Sequence, residues 1–262
     1  MQDVWSEIKR NAVAMSQREP VLEKFCQDAV LIHEHLYQAL VFQLASHLST
    51  PFVGFENLRE LMAGIYARNP RLEEDAILDL LAYFERDPAC DTHLRPLIHF
   101  KGFWAIQCHR VAAHLWQSKR KSLAYFLQSR SSAVFDVDIH PAARLGGGIM
   151  FDHATGIVIG ESAEVGDNVS MLHGVSLGGS GVAQGKRHPS IEDGALISVG
   201  AKLLGNIQIG KGVKIGGGSV VLGSVPDYST VVGVPAKVIG RSDFAMPAFS
   251  MDQYIPAPNG DA

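Results

Sequence analysis

The chain has 262 residues, 47% of them hydrophobic and 19% charged, which suffices for one large domain or two ordinary ones. A formal net charge of −4 gives no reason to expect general affinity for nucleic acid or a membrane surface, and no run of about 18 apolar residues exists to span a bilayer. Three scattered cysteines, Cys26, Cys90 and Cys108, imply no disulfide framework, and the opening MQDVWSEIKR lacks the apolar stretch of a signal peptide, so a reducing cytoplasm is expected.

Glycine divides the chain. Of 26 glycines, 22 fall between Gly146 and Gly240, and only Gly54, Gly64 and Gly102 lie in the first 145 residues. Each glycine weakens a helix by about 1 kcal/mol yet suits a tight corner that needs positive φ. The boundary is therefore predicted near residue 136, with a helical domain over 1–135, a repeat domain over 136–241 and a flexible tail over 242–262.

In the first part Trp5, Ile8, Ala12 and Met15 recur at helical spacing, and Glu19-Pro20 marks a fresh start. Further helices are predicted near 34–48, 55–67, 72–85 and 96–117. In the last of these Leu97, Phe100, Phe103, Trp104, Ile106, Val111 and Leu115 form a broad apolar surface suited to a core or a subunit contact. Asp87-Pro88, between two helices, reads by itself as a capping turn.

From Ile139 onward an apolar residue returns every sixth position: Ile139, Leu145, Phe151, Ile157, Ala163, Val169, Val175, then Ile191, Ile197, Leu203, Ile209, Ile215, Val221. Thirteen hits in thirteen arise by chance about once in 10⁴ trials. A period of six fits neither a helix nor a simple strand. It fits a parallel β-helix in which each hexapeptide is one short strand plus a corner and three make a coil of eighteen. The positions two before each repeat are often small or branched as well, as at Ala143, Ala195, Ala201, Val213 and Ser219. Val175 to Ile191 is a gap of sixteen, so a loop over 178–190 must leave the solenoid, and loops projecting from rigid scaffolds tend to carry function. Pro247, Pro256 and Pro258 mark the tail as extended or disordered.

The densest ionisable cluster is Asp136, Asp138 and His140 with Asp152-His153. On a coil of eighteen, Asp138 and His153 fall on neighbouring coils, about 4.8 Å apart. A carboxylate beside an imidazole makes a general base that works near neutral pH; the competing reading is a histidine that caps a corner. His140, His153, His173 and His188 are the possible zinc ligands, but they lack a ligand pair at short spacing, and no metal is expected. No cysteine lies in the repeat domain, although Cys90 is close to Asp87. Lys202, Lys211, Lys214, Lys237 and Arg241 stand against the single acid Asp227, which suits either solubilising charge or an anion site.

Four stretches carry a resemblance: Asp138-Ile139-His140-Pro141-Ala142-Ala143, Phe151-Asp152-His153-Ala154-Thr155-Gly156, Lys186-Arg187-His188-Pro189 and Gly233-Val234-Pro235-Ala236-Lys237. With Arg86-Asp87-Pro88-Ala89 and Leu97 to Gly102 in the helical part, they resemble the serine O-acetyltransferases among the hexapeptide-repeat acyltransferases. The resemblance implies an α+β chain, all-helical first and then a left-handed parallel β-helix. It implies acetyl transfer from acetyl-CoA to the L-serine hydroxyl, the first step of cysteine synthesis, with acetyl-CoA as co-substrate and no tightly bound cofactor. His153 would be the base, Asp138 its orienting partner and His188 a further catalytic group. Asp87, Asp152, Arg187 and His188 would hold serine, a carboxylate set for its ammonium and a cation for its carboxylate. Acetyl-CoA would lie along the solenoid flank, near Gly179, Gly200 and Ala201, with Lys214, Lys237 and Arg241 toward its phosphates. Trimers, pairs of trimers and feedback inhibition by L-cysteine are implied likewise. Members that dock into the sulfhydrylase making cysteine use a C-terminal isoleucine, whereas this chain ends Asn259-Gly260-Asp261-Ala262, so that partner is not carried over. The alternatives are an acetyltransferase for another hydroxyl acceptor, homoserine or a sugar, and a non-catalytic hexapeptide scaffold.

Overall fold

The computed structural model describes residues 2–181, 184–242 and 245–255. It contains two compact units, Met1–Pro141 and Ala142–Ala262.

The first unit is built from α1 (Gln2–Arg18), α2 (Glu23–Cys26), α3 (Leu36–Leu48), α4 (Phe55–Arg68), α5 (Pro70–Arg86), α6 (Leu94–His99), α7 (Lys101–Gln117) and α8 (Lys121–Phe135). The apolar stripes go inside: Ile8 and Ala12 of α1 and Ala76 and Leu80 of α5 are fully buried. Pro70 opens α5 at a position where its missing N–H costs nothing. The helix expected over 96–117 is two helices, broken where Phe100 turns extended (φ −97°, ψ 106°), with Trp104 Nε1 donating across the break to the Leu97 carbonyl at 2.7 Å. The broad apolar surface of this segment is core, since α7 is buried on nearly every side. One charged pair lies in that core. Arg110 makes a two-pronged ion pair with the fully buried Asp79, joining α7 to α5, and Gln107 donates to the same carboxylate at 2.7 Å.

Helix α8, which the apolar spacing does not announce, ends at Asp136 in the left-handed conformation (φ 57°) and leads into β1 (Val137–Ile139). The helix-to-strand switch falls at Asp136. The compact unit extends five residues further, because β1 packs on α7 and α8 and its Val137 carbonyl accepts from Ser131 Oγ.

The second unit is a parallel β-solenoid. Its strands are β2 (Arg144–Leu145), β3 (Met150–Asp152), β4 (Ile157–Ile159), β5 (Glu164–Val165), β6 (Ser170–Leu172), β7 (Ser176–Gly178), β8 (Ser190–Ile191), β9 (Leu196–Ile197), β10 (Lys202–Leu204), β11 (Gln208–Ile209), β12 (Lys214–Ile215), β13 (Val220–Val221), β14 (Ser229–Gly233) and β15 (Ala236–Arg241). One face stacks β4, β7, β10 and β13, the second β2, β5, β8 and β11, and the third β3, β6, β9, β12 and β14. Antiparallel β15 closes the third face.

The coils are not uniformly eighteen residues. Arg144 pairs with Glu164, Glu164 with Ser190 and Ser190 with Gln208, steps of 20, 26 and 18, and Lys214 pairs with Thr230, a step of 16. The step of 26 contains the expected loop. The step of 20 was hidden by the packing. Two inward rows exist, one at the strand centres and one two residues earlier. Phe151 stacks on Met171, so Ile157, Ala163, Val169 and Val175 belong to the earlier row and Ile159, Val165, Met171 and Leu177 to the central one. All eight are buried. Counting by six crosses from one row to the other without leaving the core.

The tail departs from expectation too. Residues 245–255 lie against the solenoid: α9 (Pro247–Ser250) buries Ala248, whose carbonyl accepts from Ser170 Oγ and whose N–H donates to Gly194 O. Pro256, Pro258 and the terminal residues 259–262 fall outside the described residues.

Candidate active site

The two extra residues of the first coil sit in one corner. Met150 to Ser170 spans 20 positions and Val158 to Ser176 spans 18, so the corner between β3 and β4 exceeds its neighbour above by two. That corner is Asp152-His153-Ala154-Thr155-Gly156. His153 (φ 55°) and Ala154 (φ 60°) both hold left-handed backbone without being glycine, a strained pair of the kind that clusters at functional sites. The Ala154 side chain is fully buried and anchors the turn. The His153 side chain is 75% exposed, with Nε2 3.8 Å from Asp152 Oδ1. Its ring meets that of His173, one coil up, edge to face at 5.8 Å.

The loop between β7 and β8 is tied down at its far end. The Ser162 hydroxyl accepts from the N–H groups of Arg187 (2.9 Å) and His188 (3.2 Å) and lies 2.9 Å from His188 Nδ1. Ser162 N–H also points at Nδ1, at 3.2 Å, and Lys186 Nζ donates to the Ser162 carbonyl at 2.7 Å. The guanidinium of Arg187 pairs with Glu161 at 2.6 Å. The buried His188 ring fills space that Gly160 leaves open, since a Cβ there would come within 2.0 Å of Nε2. Gly179 abuts the same ring, where a Cβ would stand 3.4 Å from Nε2. Gly179, expected beside acetyl-CoA, thus also packs against the loop's own histidine. Val182 and Ala183, at the loop tip, fall outside the described residues.

In the first unit Asp87 ends α5, and its Oδ1 accepts from Ala89 N–H at 2.8 Å, the capping turn read from the sequence. Asp138, half-buried in β1, accepts from Gln128 Nε2 at 2.7 Å. His140 packs edge-on against Trp116 and Tyr125. Burial pushes the thiol of Cys90 up to about 11 and that of Cys108 up to about 12, so neither is a ready nucleophile. Among the described residues no three His, Cys, Asp or Glu gather where a metal ion could be held, and no helix is long and apolar enough to cross a membrane.

The remaining candidates divide. Gly200 (φ 69°) belongs to a column of left-handed corner glycines with Gly156, Gly174 and Gly218, and Lys202 Nζ donates to the carbonyls of Gly174 and Gly200. The Ala201 side chain faces the interior and is fully buried, so only its backbone can meet a ligand. Lys214 is not free for a phosphate. It is buried, and its Nζ donates to Asp252 Oδ2 at 3.0 Å and Tyr254 O at 2.6 Å. The Tyr254 N–H, and then Lys214, hold the Asp252 carboxyl below its ordinary range. Lys237 and Arg241 stand exposed on β15. Glu161, Ser162 and Gly160 were not singled out from the sequence. Their signal was Gly-Glu-Ser one coil below the loop, which means nothing until the coil lengths are known.

Known proteins match this chain along nearly its whole length. The family described as serine acetyltransferase, N-terminal, matches residues 4–108, and the bacterial transferase hexapeptide family (six repeats) matches 188–223. The Haemophilus influenzae serine acetyltransferase is 47% identical over 253 residues, covering 97% of this chain and 95% of the relative. That of Escherichia coli is 46% identical over 256 residues, covering 98% and 94%. A crystallised serine acetyltransferase in complex with cysteine superposes with a TM-score of 0.95 at 47% identity, covering 97% of this chain and 99% of the other. The Neisseria gonorrhoeae serine acetyltransferase in complex with serine gives 0.87 at 50%, covering 89% and 96%, and the Brucella abortus enzyme in complex with coenzyme A gives 0.90 at 46%, covering 92% and 96%.

Proposed function

The chain belongs to the serine acetyltransferase family, and on that premise we propose that His153 drives its reaction as general base. The reaction is transfer of an acetyl group from acetyl-CoA to the hydroxyl of L-serine, giving O-acetyl-L-serine and CoA. The observation that carries this reading is the identity of nearly half over the full chain to serine acetyltransferases. The serine hydroxyl gives its proton to the His153 imidazole as its oxygen attacks the thioester carbonyl; the tetrahedral species collapses, and the departing CoA thiolate takes that proton from the imidazolium. An exposed imidazole on a strained corner beside Asp152 suits that role, and Asp138, braced by Gln128, is the orienting carboxylate. A thiol-release assay with acetyl-CoA and serine, homoserine and a sugar as acceptors tests the assignment. Release with serine above the other two is expected, and preference for either rival would replace the acceptor.

Asp87 and Asp152 take the serine ammonium and Arg187 its carboxylate. Arg187 already holds one carboxylate, that of Glu161, so the substrate shares or replaces an existing partner. Cysteine carries the same ammonium and carboxylate and occupies the same site, a reading supported by the relative crystallised with cysteine. Arg187→Ala is then expected to weaken serine and cysteine together, each by about 10- to 100-fold, with acetyl-CoA affinity unchanged. Calorimetry showing full cysteine affinity alongside lost serine affinity would separate the two sites.

Acetyl-CoA lies along the solenoid flank near the Gly200 corner, with Lys237 and Arg241 toward its phosphates. Lys214 joins them only when Asp252 and Tyr254 let go. Trimers, paired through the helical units, and a cytoplasmic location complete the proposal. The three buried free thiols fit a reducing compartment, and light scattering distinguishes trimers from their pairs.

A further inference from the structure

We propose that Ser162 is a positioning residue that fixes the tautomer and orientation of His188, which excludes His188 as the proton acceptor and leaves that step to His153. The inference rests on the acetyl-transfer reading above for its functional meaning, and on local geometry for its content.

A hydroxyl has one hydrogen to give and two lone pairs to receive. Both lone pairs of Ser162 Oγ are taken, by the N–H groups of Arg187 at 2.9 Å and His188 at 3.2 Å. Its hydrogen therefore points at the third neighbour, His188 Nδ1, 2.9 Å away. The Ser162 backbone N–H faces the same nitrogen at 3.2 Å and can only donate. Two donors converge on Nδ1, so that nitrogen carries no proton and the neutral ring holds its hydrogen on Nε2. Protonating Nδ1 would turn an N–H onto a backbone N–H that cannot reverse its role. The two donors favour this ring orientation, and the ring packs against Gly160 and Gly179, where a Cβ would come within 2.0 and 3.4 Å of Nε2.

The charged groups around the ring sit at the loop's edge and pair with one another: Arg187 with Glu161, and Lys186 with Glu164 and the Ser162 carbonyl. One serine thus anchors three consecutive loop residues, Lys186, Arg187 and His188. The two site histidines differ in kind. His153 is exposed on a strained corner, whereas His188 is buried with one nitrogen saturated.

The test uses the full-length protein with ¹⁵N-labelled histidine, the His188 signals being identified by their loss in His188→Asn. Nδ1 is expected at the position of an unprotonated ring nitrogen and Nε2 at that of a protonated one. In Ser162→Ala, which keeps the backbone donor but loses the hydroxyl, both nitrogens should move part of the way toward averaged positions, and the KM for serine should rise about tenfold with the KM for acetyl-CoA unchanged. Ser162→Thr, which keeps the hydroxyl, should restore both. A protonated Nδ1 in the parent protein, or a Ser162→Ala variant with unaltered spectrum and serine KM, would overturn the proposal. A parent protein that fails to acetylate serine would instead remove the activity reading, while the spectrum still decides the tautomer.

Discussion

His153→Ala lowers turnover with serine about 10²–10⁴-fold, the range for loss of a general base, while acetyl-CoA still binds. The fold should tolerate the change, because the side chain is three-quarters exposed and the corner is anchored by buried Ala154. The left-handed backbone at 153 tolerates alanine somewhat less well than histidine, a penalty small beside the stability of a packed solenoid. Asp138→Asn should be milder, since the imidazole stays and loses only its orienting charge. Steady-state thiol release measures turnover, and calorimetry with acetyl-CoA confirms an intact binding surface. A folded His153→Ala protein with near-normal turnover would assign the proton to another group.

Asp79→Ala should destabilise the helical unit by about 3–5 kcal/mol. Asp79 is completely buried, and its carboxylate accepts two nitrogens of Arg110 and the amide of Gln107. Removing it leaves the guanidinium in the core with only Asp75, 3.6 Å from its Nη1, as counter-charge. The expected readout is loss of helical ellipticity at lower denaturant than in the parent, read as a transition of the helical unit because two compact units need not unfold as one. A double replacement that also removes the charge of Arg110, such as Asp79→Leu with Arg110→Leu, should recover part of the loss. Equal stability of Asp79→Ala and the parent would mean that Asp75 or water takes over the charge of Arg110. The pair has a further role in the chain: it fixes α5 to α7 two turns before Asp87, where α5 ends.

The solenoid was legible because its core requirement repeats at a short period and tolerates only apolar or small residues. The same redundancy concealed the long corner at His153. A shift of two residues moves the count from Phe151 to Ile157 and lands on a side chain as buried as the one it skips. The loop before Ile191 was legible because the sixteen positions from Val175 to Ile191 fit no multiple of six and are filled mostly by glycine and polar residues. The dependence of Arg187 and His188 on Glu161 and Ser162 was not legible, since 25 or 26 residues of chain separate partners that register alone brings together. Lys214 is the opposite failure. Basic residues in a run suggest an anion site, but its charge is met by a tail whose prolines read as disorder. The break at Phe100 was invisible because apolar residues occupy both helices and the turn between them.

The end of the solenoid carries a consequence for self-association. A stack of parallel strands is an incomplete object, since its last coil offers the same ladder that every earlier coil used to receive the next. On the third face the chain doubles back at Gly233, and β15 occupies that ladder in the opposite sense, pairing Ser229 with Arg241 and Val232 with Lys237. A second molecule arriving to extend the stack meets a strand running the wrong way, with exposed Lys237 and Arg241 on it. The hairpin is a chain terminator for the fold itself: it lets a repeat that could be copied indefinitely stop at one molecule instead of seeding a filament.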